Sequence, residues 1–270
     1  MTITFIGGGN MATAIIGGLL QRQWDPQQLR VVEIIAAARD KLEQTYHIQT
    51  FAGVTAESMQ ADCVVLAIKP QQMREAAAQL APLIANALVI TIAAGIRGAD
   101  LSRWLGNHQR IVRVMPNTPA LVLAGISGLY AMPGVTADDR KRAGEIMGAV
   151  GETVWVAREE DIDAVTAVSG SGPAYVFYFI EALEQAARDL GMSNEAARQL
   201  AISTFTGASK LAAQSTEDIA TLRARVTSKG GTTERALASM ESDQIKSAIV
   251  RAVKAAADRS RELGDELGRG

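Results

Sequence analysis

Three kinds of segment in this chain combine glycine with polar side chains at spacings that could do chemistry. In "FIGGGNMA", Gly7, Gly9 and Ala12 form G-x-G-x-x-A, placed after an apolar β-branched run and at the head of a helical one. Glycine at position 7 permits a tight turn, and glycine at 9 lets the backbone approach a pyrophosphate, which then meets the free N–H groups of the helix. Glu33 ends the next strand-like run, where a carboxylate accepts hydrogen bonds from ribose hydroxyls and repels a 2′-phosphate. The pattern predicts a dinucleotide, NADH or NADPH with a slight lean to NADH, against Ile6, Gly7, Gly9, Asn10, Met11, Ala12 and Glu33. Arg39 could still swing in to meet a phosphate.

Two further segments end strand-like runs: "AIKP", with Ala67, Ile68, Lys69 and Pro70, and "AAG", with Ala93, Ala94 and Gly95. Ligands of open α/β sheets bind at such ends. Pro70 suits the first turn of a helix, small residues at 93–95 let a cofactor lie close, and Lys69 either faces the cofactor or is a solvated strand end. In "MPNTP", two prolines bracket Asn117 and Thr118; the segment is either a cofactor contact through Asn117 or a rigid turn. The third kind lies in a helical region. "SGSGPAY" brings Ser171 to a helix start with Pro173, either as an ordinary cap or as an anion-binding end. "VTSKGGTT" breaks the helical period with Val226, Ser228, Gly230, Gly231, Thr232 and Thr233, either as an ordinary turn between two helices or as a site whose N–H and hydroxyl groups gather round a carboxylate. Two such segments in one helical region exceed what capping requires.

The missing residue types narrow the reaction. Oxidation of a hydroxy acid calls for a general base, most often histidine, and the two histidines, His47 and His108, fall outside every segment above and read as surface residues. There is no Cys/His cluster for a metal and no Ser-His-Asp set. Reduction of a substrate that brings its own acidic proton, such as a protonated imine, fits the inventory.

The elements that must position these residues follow from periodicity. "TITFI", "LRVVEI", "DCVVLAI", "ALVITIA" and "RIVRVM" read as strands separated by helices such as Asn10 to Gln21 and Gln71 to Leu83, which predicts βαβ units and a mainly parallel sheet. "GISGLYA" and "ETVWVA" extend that sheet, joined by a helix from Thr136 to about Val150. After Arg158 the strand signal stops, and helical spacing continues to the end, with Gly191 as a helix stop and Ser193 as an N-cap. The fold class is therefore a Rossmann-type α/β domain over 1–160 followed by an all-α domain over 161–270. "YVFYFI", Tyr175 to Ile180, is apolar on consecutive positions and needs cover on every side, which predicts a homodimer through the helical domain.

Composition excludes other classes. With 27 Lys and Arg against 29 Asp and Glu, and no basic block, nucleic acid is not an expected partner. The uncharged run from Ile3 to Leu20 contains five glycines and Asn10, so it reads as a buried strand and helix and not a membrane span. Cys63 is the only cysteine, it sits in an apolar run, and it suggests a reducing cytoplasm.

The segments "FIGGGNMA", "AIKP", "IAAG", "RVMPNTPAL", "DAVTAVSGSGPAYVF" and "VTSKGGTTERAL" resemble, in order and spacing along essentially the whole chain, those of Δ1-pyrroline-5-carboxylate reductases. The resemblance implies NAD(P)H-dependent reduction of 1-pyrroline-5-carboxylate to L-proline, the last step of proline synthesis. It also implies a helical domain that dimerises by interleaving helices, often in larger rings of dimers, and a nicotinamide lying between the two domains. Ser171, Val226, Ser228, Gly230, Gly231, Thr232 and Thr233 are the expected substrate contacts, with Thr233 by the ring nitrogen as the catalytic residue. Two departures stand out: Lys229 takes the place of a common proline, and "EIIAAAR" lacks the Ser/Asn–Arg stretch of many NADPH-preferring members. The competing readings are a β-hydroxyacid-dehydrogenase-like enzyme using Lys229 as its acid or base, and a dinucleotide-sensing protein without turnover.

Overall fold

The alternation of β-branched runs and amphipathic stretches folds, in a computed structural model that describes residues 1–269, into one eight-stranded sheet with helices on both faces. The strands are β1 (Ile3–Ile6), β2 (Leu29–Val32), β3 (Gln49–Phe51), β4 (Cys63–Leu66), β5 (Leu88–Thr91), β6 (Ile111–Met115), β7 (Gly125–Ala131) and β8 (Gly151–Trp155), in the order β3-β2-β1-β4-β5-β6-β7-β8. Strands β1, β2, β4 and β5 end level with one another, since Ile6 stands opposite Val32 and Leu66, and Leu66 opposite Thr91. Loops that leave these ends therefore share one edge.

The sheet is parallel except between β6 and β7. Between Met115 and Gly125 the chain makes only a short 3₁₀ turn, Thr118–Val122, whereas a parallel return needs a dozen or more residues. Alternate residues enter two cores: Ile3, Phe5, Leu29 and Cys63 on one face, Ile6, Val64, Leu66 and Val89 on the other. Helices α1 (Asn10–Gln21), α2 (Ala36–Tyr46), α3 (Met73–Leu80), α4 (Gly98–Trp104) and α5 (Ala137–Gly148) cover these faces. Gly18 of α1 is held to glycine because a Cβ there would lie 2.4 Å from the Ala149 carbonyl.

Three details differ from the sequence-based expectation. Strand β3 was not foreseen: it is a three-residue edge strand whose Gln49 and Thr50 carry no apolar alternation. The helix expected over Gln71 to Leu83 is a 3₁₀ turn, Pro70–Gln72, followed by α3, which stops at Leu80 because Pro82 has no N–H to continue it. "SGSGPAY" is not an open loop. After α6 (Asp161–Val165) the chain makes a π-helical turn, Thr166–Gly170, and α7 (Gly172–Asp189) begins two residues later.

The chain divides into two compact units, Met1–Ser171 with the stretch from Ala256 onward, and Gly172–Ala255. The second holds α7, α8 (Asn194–Gln214), α9 (Ile219–Arg225), α10 (Thr232–Ser242) and the start of α11 (Ile245–Gly268). Gly191 stops α7 with φ +89°, and Ser193 caps α8 by accepting from the Ala196 N–H at 3.2 Å. Unlike the sheet unit, this one buries only Ala197 and Ala201 among its apolar residues, while Phe177 is 65% and Tyr178 71% exposed. Burying one such side chain contributes about 1.5–3 kcal/mol, so helices left in this state need a further apolar surface.

The chain should therefore sediment as a dimer or a larger assembly. Phe177→Asp, which puts an uncompensated charge on the exposed face of α7, should shift it to monomer or to aggregate. A folded, fully active wild-type monomer would contradict this.

Candidate active site

The glycine-rich crossover is built by close backbone approach. Gly7 has φ +96°, and a Cβ on it would lie 2.7 Å from the Ala67 carbonyl oxygen and 2.8 Å from Ile68 Cγ2. The Gly7 N–H donates to the Val32 carbonyl at 2.8 Å, and the Ala67 N–H donates to the Ile6 carbonyl at 2.8 Å. Residue 7 thus ties the ends of β1, β2 and β4 together, and "FIGGGNMA" meets "AIKP". At Gly8, which the fingerprint leaves free, a Cβ would lie 2.7 Å from Leu42 Cδ1 on α2, so a side chain there would require that leucine to shift.

Gly9 is different. It is the N-cap of α1 in an extended conformation, no side chain caps the helix, and a Cβ on Gly9 would meet nothing within 4 Å. The first helical bond runs from the Thr13 N–H to the Gly9 carbonyl, so the N–H groups of Asn10, Met11 and Ala12 have no protein partner among the described residues. Open space in front of unpaired N–H groups at the positive end of a helix favours an anion such as a pyrophosphate. Ala12 is buried in the core and lets α1 lie close to the sheet.

Glu33, one residue past β2, has both carboxylate oxygens engaged: one accepts from the Gly8 N–H and the other from the Ile35 N–H, each at 2.9 Å. The Arg39 guanidinium donates to the Glu33 carbonyl oxygen at 2.7 Å. The acid therefore braces the glycine loop, a role that its position in the sequence did not reveal. Ile34 and Ile35 beside it are exposed.

The remaining residues of the edge follow the strand ends. Lys69 is exposed and Pro70 opens the 3₁₀ turn after β4. Beyond β5, Ala93 and Gly95 are buried and Ala94 is half-buried. Asn117 follows β6, and its side-chain oxygen accepts from the Ile126 N–H at 2.9 Å, which holds the turn into β7. Neither histidine joins them. His47 is exposed at the end of α2. His108 is half-buried rather than on the surface, with Nε2 2.9 Å from the Ala87 carbonyl, and burial lowers its pKa. The Cys63 thiol lies fully buried in the core, and burial pushes its pKa up.

In the π turn, the Ser169 hydroxyl donates to the Val165 carbonyl at 3.0 Å and Thr166 to Ile162 at 2.8 Å, so these hydroxyls serve their own helix. The Ser171 N–H closes the turn on Thr166 at 2.8 Å.

"VTSKGGTT" connects α9 to α10 through a tight turn in which the Gly231 N–H donates to the Ser228 carbonyl at 3.0 Å and Gly230 has φ +73°. A Cβ at Gly230 would meet nothing, so its backbone conformation alone favours glycine there. The Gly230 N–H donates to the Glu234 carboxylate at 2.6 Å, and the Thr227 hydroxyl donates to the Arg223 carbonyl at 2.7 Å. The Gly231 N–H, expected among the carboxylate donors, is thus spent within the turn. Left without protein partners among the described residues at the start of α10 are the N–H groups of Thr232, Thr233 and Glu234 and the hydroxyls of Ser228, Thr232 and Thr233. Val226 and Lys229 are exposed.

This fold and this glycine crossover define a dinucleotide-dependent oxidoreductase of the Rossmann type, and residues 2–95 match the family model described as NADP oxidoreductase, coenzyme F420-dependent. Residues 159–263 match the model for pyrroline-5-carboxylate reductase dimerisation, and the chain is 43% identical to the pyrroline-5-carboxylate reductase of Pseudomonas aeruginosa over 98% of both chains. The chain belongs to the pyrroline-5-carboxylate reductase family. The pyrroline-5-carboxylate reductase structure from Coxiella burnetii superposes with a TM-score of 0.93 at 40% identity, covering 97% of this chain and 98% of that one. The Plasmodium falciparum pyrroline carboxylate reductase, solved with NADP bound, does so with a TM-score of 0.86 at 28% identity, covering 98% of each.

Proposed function

We propose that this chain reduces 1-pyrroline-5-carboxylate to L-proline, with the sheet unit holding NAD(P)H and the α9–α10 loop holding the substrate carboxylate. The observation that carries the assignment of the loop is the start of α10, where a glycine turn leaves three N–H groups and three hydroxyls unpaired. On the cofactor side the fit rests on Gly9, whose open face and unpaired neighbouring N–H groups accommodate a pyrophosphate. When bound, NAD(P)H supplies the hydride that the imine carbon accepts as the C=N bond becomes C–N.

The chain's own residues bind, orient and neutralise. The N–H groups of Asn10, Met11 and Ala12 hold the pyrophosphate, and Ile6, Gly7 and the segments Ala67–Pro70, Ala93–Gly95 and Asn117 line the remainder of the cofactor. Thr232 and Thr233 N–H groups, with the Ser228 and Thr232 hydroxyls, hold the substrate carboxylate, flanked by Val226, Gly230 and Gly231. The Thr233 hydroxyl orients the ring nitrogen. That nitrogen carries its own proton as an iminium, which accounts for a site that draws on no histidine base. Lys229 adds a cation at the rim.

The braced Glu33 carboxylate retains lone pairs for ribose hydroxyls and places a fixed negative charge where a 2′-phosphate would lie, which favours NADH. The helical unit forms the homodimer, and such dimers assemble into rings. A cytoplasmic location agrees with a single cysteine buried in the core. Among the described residues no helix is long and apolar enough to cross a membrane.

Two outcomes follow. NADH should serve at least as efficiently as NADPH, and Glu33→Ser should shift the ratio of their kcat/KM values toward NADPH; a wild-type preference for NADPH above about tenfold would sink the assignment of Glu33. Thr233→Val keeps the side-chain shape but removes a donor. A hydrogen bond to a charged group contributes about 1.5–3 kcal/mol, so kcat/KM for pyrroline-5-carboxylate should fall roughly 10- to 150-fold with cofactor affinity unchanged. Near wild-type kcat/KM in Thr233→Val would reduce the loop to a helix connector.

A further inference from the structure

The end of the chain returns to the cofactor edge. Gly95, in the turn that leaves β5, has φ +72°, and a Cβ on it would lie 3.0 Å from Leu267 Cδ1 and 3.3 Å from Leu263 Cβ, both on α11. Two residues on, Arg97 pairs with Asp265 at 2.6 Å, and a Cβ on Gly264 would lie 3.0 Å from Arg97 Nε. One turn earlier in α11, the buried Ser260 donates its hydroxyl to Asp163 at 2.6 Å. Ser260, Gly264 and Gly268 recur every four residues, so the small face of α11 lies toward the sheet unit. Gly95 and Arg97 border a cavity of about 260 Å³ that is also lined by Arg113, Glu159, Asp163 and Ser260. Leu263 and Leu267 therefore face this turn directly from α11, with Leu267 packed against the core that holds Ala93 and Ile96.

Strand order says what lies there. Glu33 follows β2 on one side of β1, while β4 and β5 lie on the other. A dinucleotide with its adenosine ribose at Glu33 and its pyrophosphate at the head of α1 must extend its nicotinamide half across the ends of β4 and β5. We infer that the last three turns of α11 are a positioning element for that half: Leu263 and Leu267, aided by the Arg97–Asp265 and Ser260–Asp163 contacts, fix the Ala93–Gly95 turn on which the nicotinamide ring rests. The inference builds on the cofactor reading given under Proposed function.

The test compares wild type with the Leu263→Ala/Leu267→Ala double variant in the full-length protein. Binding is measured for whichever of NADH and NADPH binds more tightly and for the matching fragment that lacks nicotinamide, ADP-ribose or its 2′-phosphate, together with kcat for pyrroline-5-carboxylate at saturating cofactor. A misplaced ring should lower kcat roughly tenfold and weaken the reduced cofactor, while affinity for the fragment stays within about twofold. Leu263→Met/Leu267→Met, which restores the volume, should recover kcat. If the double variant does not fold, Leu267→Ala alone serves for the same comparison. Unchanged kcat and cofactor affinity overturn the inference. So does a parallel loss of cofactor and fragment binding, which marks a merely structural role, and so does failure of the methionine pair to restore kcat. Wild-type protein that binds neither cofactor nor fragment overturns the cofactor reading itself.

Discussion

The backbone at Gly7 and the carbonyl of Ala67 lie so close that no side chain fits between them, and the cofactor edge is organised around that approach. Because residue 7 can take φ +96° and carries no Cβ, β1 can turn directly into α1 while β4 ends beside it. The turn delivers Gly9 to an open position and leaves the first N–H groups of α1 unspent. Glu33 then braces the loop through Gly8, so the acid just past β2 stiffens the glycine turn that opens α1. At the start of α10, too, the unpaired donors are backbone N–H groups and hydroxyls beside a glycine turn.

The two units meet different physical demands. The sheet unit is self-sufficient, with strands buried on both faces and Cys63, Phe5 and Leu88 fully enclosed. The helical unit is not: it encloses alanines and leaves phenylalanine, tyrosine and leucine side chains uncovered. Its helices form locally, by caps such as Ser193 and Asp218 and by the Gly191 stop, but their apolar faces await another surface. In a family whose matching region is a dimerisation region, association is part of the fold's energetics.

Much of this was legible in the residues, for identifiable reasons. Gly7 is imposed by a turn geometry and Gly9 stands open before the helix end, a pairing whose spacing can be read as text. The strands of the central sheet are short runs of Val, Ile and Leu that no helix period explains. Consecutive apolar positions in "YVFYFI" called for cover on every side, and the helical unit leaves Val176, Phe177 and Tyr178 exposed. What could not be read depends on distant contacts. Gly95 is a glycine because of its own φ and of leucines on α11, and Glu33 is braced by Gly8 and Ile35. Strand β3 exists because β2 offers it an edge, not because Gln49 and Thr50 favour extension. The serines of "SGSG" suggest a loop, yet a π turn takes up their residues and satisfies Ser169 and Thr166 locally. The Gly231 N–H was expected to face the substrate, and the turn uses it instead.

The central claim is that glycine-positioned donors, with no side-chain base, serve a substrate that carries its own proton. The most direct measurement is a steady-state comparison of cofactor oxidation with pyrroline-5-carboxylate against cofactor reduction with short β-hydroxy acids, using both NADH/NAD⁺ and NADPH/NADP⁺. The account predicts turnover of the imine with at least one reduced cofactor and none of the hydroxy acids. Oxidation of a hydroxy acid at a comparable kcat/KM, lost in Lys229→Met, would contradict it and make Lys229 the acid or base of a different reaction.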